Sequence, residues 1–197
     1  MSTGNGTGKT LHIVIDMQRV FAEETVWHTP SIRDILPNVL DLCEAFKGRT
    51  LFAKFMLPET SAHAPGRWQT YYERWSMLTT SQLDPAYQDL VAPLAALSQP
   101  ETEVEKFTYS IFKAPGFNER LKADGIDQLI FSGVETDVCV LASVFGAVDA
   151  GFHVVVASDA VGSSEPVAHQ AVLDHVLPRM PDQIDLATTA QIIARQV

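Results

Sequence analysis

The sequence predicts a three-layer α/β fold, in which helices cover both faces of a mainly parallel, roughly six-stranded central sheet. Three observations carry that prediction. Short apolar and β-branched runs recur along the chain, helical patterns separate them, and Asp16, Lys106 and Cys139 each fall at or just past the end of such a run. Strand and helix in alternation favour parallel pairing, because a parallel strand needs a crossover and a helix supplies one. Ligands of such sheets bind beyond the carboxyl ends of the strands, so the three residues are predicted to share one functional edge.

Taken in order, residues 1–9 read as a flexible tail rich in Gly, Ser and Thr, and residues 10–197 as a single domain. The tail includes Gly4-Asn5-Gly6-Thr7-Gly8-Lys9-Thr10, which looks like a phosphate-binding loop. That reading is rejected. The first glycine of the motif would fall at Thr3, no strand precedes it, and a strand instead of a helix follows. Leu11 to Ile15 is the first strand, with Asp16 at its carboxyl end. From Pro37 the pattern is helical, with Val39, Leu42, Cys43 and Phe46 on one stripe and Gly48 just past its end, so Cys43 reads as a small core residue.

Thr50 to Phe55 is the second strand. Between Met56 and Pro100 no strand signal follows, but Trp68, Tyr71, Tyr72 and Trp75 share one helix face that suits either the core or the cover of a pocket or interface. Glu103 to Phe107 is a short strand, and further strands are predicted at 128–132, 153–157 and 184–187, with helices at about 117–124, 137–150 and 165–177. Thr136 is placed to cap the helix that carries Cys139, and Gly151 to stop it. A thiol in that first turn meets unpaired N–H groups and the positive end of the helix dipole, which favour the thiolate.

Composition narrows the function. At 197 residues and 46% hydrophobic, the chain suits one domain with a sizeable core. A formal net charge of −10 without a basic run disfavours nucleic acid. Neither a signal-peptide pattern nor an apolar stretch of the roughly 18 residues a membrane span needs is visible, so no membrane partner is expected. Two cysteines make a poor disulfide framework and suggest a reducing, cytoplasmic setting.

The segment Phe131-Ser-Gly-Val-Glu-Thr-Asp-Val-Cys139-Val, with Ile13-Val-Ile-Asp16-Met-Gln, Glu105-Lys106 and Tyr109-Ser-Ile-Phe112, resembles the isochorismatase-like cysteine hydrolases. That superfamily includes nicotinamidases, N-carbamoylsarcosine amidohydrolase and ureide-processing amidases. The resemblance runs from about residue 10 to the C-terminus and implies an isochorismatase-like, Rossmann-like domain. It implies an Asp-Lys-Cys catalytic triad at Asp16, Lys106 and Cys139, a cis peptide at Val134–Glu135, and an oxyanion hole formed by the Glu135 and Cys139 amides. A dimer or tetramer is implied as well.

Nicotinamidases carry a metal site with Asp-x-His after the second strand; this chain has Ala53-Lys54-Phe55-Met56-Leu57 there and only His63 nearby. No metal and no other cofactor is therefore expected. The expected activity is hydrolysis of a C–N bond in a small amide, ureide or N-carbamoyl substrate through a thioester. The alternatives are a vinyl-ether hydrolase of the isochorismatase type, or a non-catalytic binding protein on the same fold. Phe21, Trp68, Tyr109 and Phe112 are candidates for the substrate pocket because their segments flank the carboxyl edge, and Glu135 is a further candidate to read a donor on the substrate.

Overall fold

A computed structural model of the protein describes residues 9–195. Six strands, β1 (Lys9–Ile15), β2 (Thr50–Phe55), β3 (Glu103–Lys106), β4 (Ile126–Val134), β5 (His153–Gly162) and β6 (Ile184–Ala187), form one sheet in the order β3-β2-β1-β4-β5-β6, every pair parallel. Of the expected tail, residues 1–8 lie outside the described residues. Lys9 already belongs to β1, where it pairs with Ile126. The phosphate-loop look-alike therefore lies mostly outside the described residues as well.

Among the described residues eight α-helices connect or flank the strands: α1 (Arg19–Ala22), α2 (Ser31–Ala45), α3 (Arg67–Arg74), α4 (Ala92–Ala95), α5 (Phe117–Ala123), α6 (Leu141–Asp149), α7 (Pro166–Ala171) and α8 (Thr189–Ala194). The central strands are buried on both faces, as their uninterrupted apolar runs require: Ile13, Val14, Ile15, Leu129, Phe131, Val154 and Val156 are all inaccessible to solvent. One polar residue sits among them. His12 is fully buried, contacts Ser132 Oγ through Nε2 at 2.8 Å and Thr50 Oγ1 through Nδ1 at 3.3 Å, and burial lowers its pKa to about 3. Because Thr50 Oγ1 donates to Phe46 O (3.2 Å), its lone pairs face Nδ1, and the neutral ring then accepts from Ser132 at Nε2.

Some element boundaries differ from those the sequence suggests. α2 begins at Ser31, six positions before Pro37, since Ile32 and Ile35 extend the buried stripe of Val39, Leu42 and Cys43 toward the N-terminus. Beyond Ala157, β5 continues because Val161 and Gly162 pair with Gly133 and Val134 after a register shift. The segment 56–100 forms α3, α4 and short 3₁₀ turns. Gln18 helps attach it to the sheet, together with backbone bonds such as Val91 N to Met17 O at 2.9 Å. The side chain of Gln18, fully buried, accepts from Phe55 N (2.7 Å) and donates to Phe55 O (3.1 Å) and Gln88 O (2.7 Å), and Gln18 also forms an isolated bridge with Leu90.

The sheet order sets the location of the site. From β1 the chain proceeds outward through β2 and β3, then returns to the other side of β1 as β4. The loops after β1 and β4 consequently diverge and open a crevice at the carboxyl edge. At the floor of that crevice the strands come unusually close. Gly133 has φ +103°, and a Cβ there would lie 2.1 Å from Ile15 O, so only glycine fits.

Candidate active site

Asp16, Lys106 and Cys139 meet in this crevice. Asp16 follows β1 with φ 51°, a left-handed conformation that aspartate tolerates better than most residues, and Gln18 N closes a tight turn onto its carbonyl at 2.8 Å. Lys106 ends β3, in which Val104 and Lys106 point inward while Glu103 and Glu105 point away. Its Nζ donates to Asp16 Oδ2 at 2.8 Å and to Thr108 O at 3.2 Å, and lies 4.6 Å from the centre of the Phe55 ring. Both side chains of this ion pair are almost fully buried, at 0% and 1% exposure. A buried pair of this kind is held in place because either charge alone would be strongly disfavoured there.

Cys139 lies in a π-helical turn, Thr136–Val140, between β4 and α6. Both Val138 N and Val140 N donate to Glu135 O, at 3.1 and 3.0 Å, and the Val134–Glu135 peptide that leads into this turn is cis. Thr136 does not cap the helix. The cap position belongs to Glu135, whose side chain does not bond the helix, and Thr136 Oγ1 pairs instead with His169 Nδ1 at 2.8 Å. The expected thiolate is also reversed. Burial first, and then the charge of Asp16, push the Cys139 thiol well above its usual range against the opposing pull of Lys106. For Asp16, burial likewise outweighs Lys106 and raises the carboxyl above the ordinary value of 3.8. Oδ1 of Asp16 is buried without a hydrogen-bond partner, and the Cys139 thiol is close enough to the carboxylate to lower its pKa.

Above the thiol is a small cavity of about 140 Å³. Every loop from β1 to β5 contributes to it: Phe21 and Trp27 after β1, Phe55 and Tyr71 around and after β2, Tyr109 after β3, Glu135 and Val138 after β4, and Ser164 after β5. Phe21 and Trp27 stack in parallel with centroids 5.8 Å apart, and Trp27 reaches Tyr71 at 5.9 Å.

Of the four pocket residues expected from sequence, Phe21 and Tyr109 line the cavity. Trp68 does not. It stands behind Tyr109 (4.8 Å) and Tyr71 (5.3 Å) on an outer apolar groove. Phe112 is directed away, packing edge-on against Phe117 at 5.3 Å and near Phe152 at 6.0 Å in the core. The aromatic helix face splits accordingly: Tyr72 is core, whereas Tyr71 reaches the cavity. Trp27, His28, Tyr71 and Ser164 escaped the sequence reading. Only Tyr71 carried a sequence signal, its place on the aromatic face of α3.

At the position of the nicotinamidase Asp-x-His, Lys54 forms an ion pair with Glu103 at 3.0 Å, and His63 bonds Thr60 Oγ1 at 2.9 Å. Among the described residues no three His, Cys, Asp or Glu side chains converge as metal ligands would. Nor, among them, is any helix long and apolar enough to cross a membrane. Cys43 is a buried free thiol whose pKa burial pushes up to about 12, consistent with a core role.

A parallel sheet ordered around a central switch and covered by helices, with an acid, a cation and a thiol at its carboxyl edge, defines a three-layer α/β protein of the Rossmann-like class. The sequence model of the Isochorismatase domain matches residues 10–188, and the chain belongs to the isochorismatase family. It is 27% identical over 173 residues to a protein of Arabidopsis thaliana named as a probable inactive nicotinamidase, a match spanning 84% of this chain and 87% of the other. Nicotinamidase 3 of the same plant is 26% identical over 162 residues, spanning 82% and 77%. Among solved structures, a cysteine hydrolase from Pseudomonas syringae pv. phaseolicola superposes with a TM-score of 0.78 at 24% identity, covering 94% of this chain and 91% of that one, a likeness of fold.

Proposed function

We propose that the protein is a cysteine hydrolase that cleaves a C–N bond of a small amide, ureide or N-carbamoyl substrate through a thioester, with Asp16, Lys106 and Cys139 as its catalytic triad. The observation that carries this reading is the buried Lys106–Asp16 pair at 2.8 Å, beside the Cys139 thiol that lines a small pocket. Lys106 occupies Oδ2, which leaves Oδ1 to take the thiol proton. A resting thiol that is protonated, beside a carboxylate able to take its proton, suits a proton transfer timed with attack.

In this mechanism the sulfur attacks the substrate carbonyl as its proton passes to Asp16, and the Glu135 and Cys139 amides bind the resulting oxyanion. The C–N bond then breaks. The departing nitrogen takes the proton from Asp16 and leaves as ammonia or an amine, with the acyl group held on sulfur. Water loses a proton to Asp16 as its oxygen attacks the thioester; the acid departs, and the proton returns to the thiol. Two free cysteines support a reducing, cytoplasmic setting, and the exposed rings of Phe107, Tyr109 and Phe145 support a homo-oligomer.

The test is ammonia release from a panel of small amides, ureides and carbamoyl compounds by wild type and Cys139→Ala. Release that vanishes in the variant is expected. A wild type that releases nothing, while both proteins hydrolyse isochorismate equally, overturns the amidase reading in favour of the vinyl-ether reaction. Inertness toward every compound, in line with the relative named as inactive, assigns a binding role.

A further inference from the structure

The walls of the cavity have a composition that the hydrolytic reaction itself does not require. Five aromatic rings, those of Phe21, Trp27, Phe55, Tyr71 and Tyr109, line it, and among the described residues no Lys or Arg does. Lys106, the nearest cation of the site, is fully buried behind the pocket with its ammonium committed to Asp16, Thr108 O and the Phe55 ring. The one carboxylate on the lining is that of Glu135. It is held in place: Oε1 accepts from Ser164 N at 2.9 Å and from Ser164 Oγ, and lies 3.4 Å from Thr29 Oγ1, whose single proton has a nearer acceptor in Trp27 O at 3.2 Å. These contacts all fall on Oε1, so none of them occupies Oε2.

A fixed anion among aromatic rings in a small, partly desolvated space attracts cations twice over. The ring faces carry the negative end of the aromatic quadrupole, and the carboxylate supplies a full charge that water screens poorly there. The same lining opposes an anionic substrate, whose carboxylate would face Glu135 with no Lys or Arg as partner and a single imidazole, that of His28, on the walls. At about 140 Å³ the cavity is far below the roughly 300–1,000 Å³ of pockets for drug-sized ligands, so its occupant is small. The net charge of −10 steers cations toward the protein as a whole.

We infer that the substrate is a small cation, an amide or ureide with an alkylammonium group within a few atoms of its scissile carbonyl, and that Glu135 is the specificity-determining residue that reads this charge. Only the identity of the reacting end rests on the amidase reading; the charge preference rests on the lining. Within that reading, the ammonium sits between Glu135 and the rings while the carbonyl faces Cys139.

Calorimetric binding to the Cys139→Ala protein tests the charge preference without turnover. The probes are glycinamide, its trimethylammonium derivative, the neutral tert-butylacetamide of the same shape as that derivative, and the anionic succinamate. The trimethylammonium compound is expected to bind about tenfold or more tightly than its neutral twin, and succinamate weakest of all. Adding Glu135→Gln is expected to bring the cation and its neutral twin within about threefold, and added salt to narrow the gap in the parent. Equal affinity for cation and neutral twin, preference for succinamate, or no cation binding at all overturns the inference. Should the Glu135→Gln protein fail to fold, the cation-to-neutral ratio of the parent still decides. Cation binding by Cys139→Ala together with a wild type that hydrolyses none of these amides overturns the amidase reading alone.

Discussion

Asp16 is under opposing influences, and the balance among them controls the proposed chemistry. Burial raises its pKa, Lys106 lowers it, and the negative charge of Glu135 raises it again. Lys106→Met removes the main opposing influence, so the Asp16 pKa moves further upward. Since the proposed reaction needs the ionised carboxylate, the acid limb of the pH dependence of kcat/KM is expected to shift to higher pH, with the rate at neutral pH falling by about a hundredfold or more. Stability changes in the matching direction. A carboxyl whose folded pKa lies above its unfolded value contributes stability below the unfolded pKa, about 3.8, that is lost as pH rises through the folded pKa. The urea midpoint of Lys106→Met is therefore expected to fall from acid toward neutral pH more steeply than that of wild type. Parallel slopes in the two proteins would show that Lys106 does not hold the Asp16 charge.

At the scale of elements, the strands were the most legible part of the chain. β1, β2, β4 and β5 are β-branched or apolar runs buried on both faces, and their central residues fall where the sequence put them. Asp16 and Lys106 were legible for the same reason, each at the end of a strand that could be read, and Cys139 because it opens the helical pattern that follows β4. What escaped depends on contacts distant in sequence. Trp27 and His28 lie in an aperiodic stretch between α1 and α2, and Ser164 follows a strand extension created by pairing with Gly133 and Val134. The Cys139 thiol was misread because local sequence supplies the helix dipole but not the depth of burial that opposes it. Gly133 illustrates how tightly β4 must approach β1: Gly133→Ala would drive a methyl group into the Ile15 backbone and force a side chain to φ +103°. A loss of about 3 kcal/mol or more in urea denaturation is expected. A change under about 1 kcal/mol would mean that β4 can shift without cost.

For the whole molecule, the open question at the sequence level was how residues 56–100 join the sheet. A side chain remote in sequence is part of the answer, beside backbone bonds from Arg19 N to Asp89 O and from Val91 N to Met17 O, each 2.9 Å. Gln18 makes three hydrogen bonds that tie the end of β2 to the segment near Gln88, and Gln88 Oε1 in turn accepts from Leu57 N at 2.7 Å. Nothing in the local pattern of 56–100 announces that clamp. Gln18→Leu removes all three bonds and leaves buried backbone groups unpaired, which is expected to cost about 3 kcal/mol and to make 56–100 the first region cut in limited proteolysis. Cleavage that begins elsewhere would assign the attachment of this segment to its aromatic residues instead.

The sheet order also bears on how the protein is made. A chain emerging from the ribosome can pair β1 with β2 and β2 with β3, yet the other edge of β1 stays open while Phe107 to Gly125 are being synthesised. Synthesis therefore passes through a stage at which the strand bearing Asp16 offers its unpaired amides and carbonyls to any neighbouring chain. Closing that edge and delivering Cys139 are a single step, the arrival of β4 and the turn that follows it. A nascent polypeptide stalled before that point has an adhesive edge and the Cys43 thiol but not Cys139, so the half-made protein carries the hazard of that edge without the nucleophile of the proposed reaction.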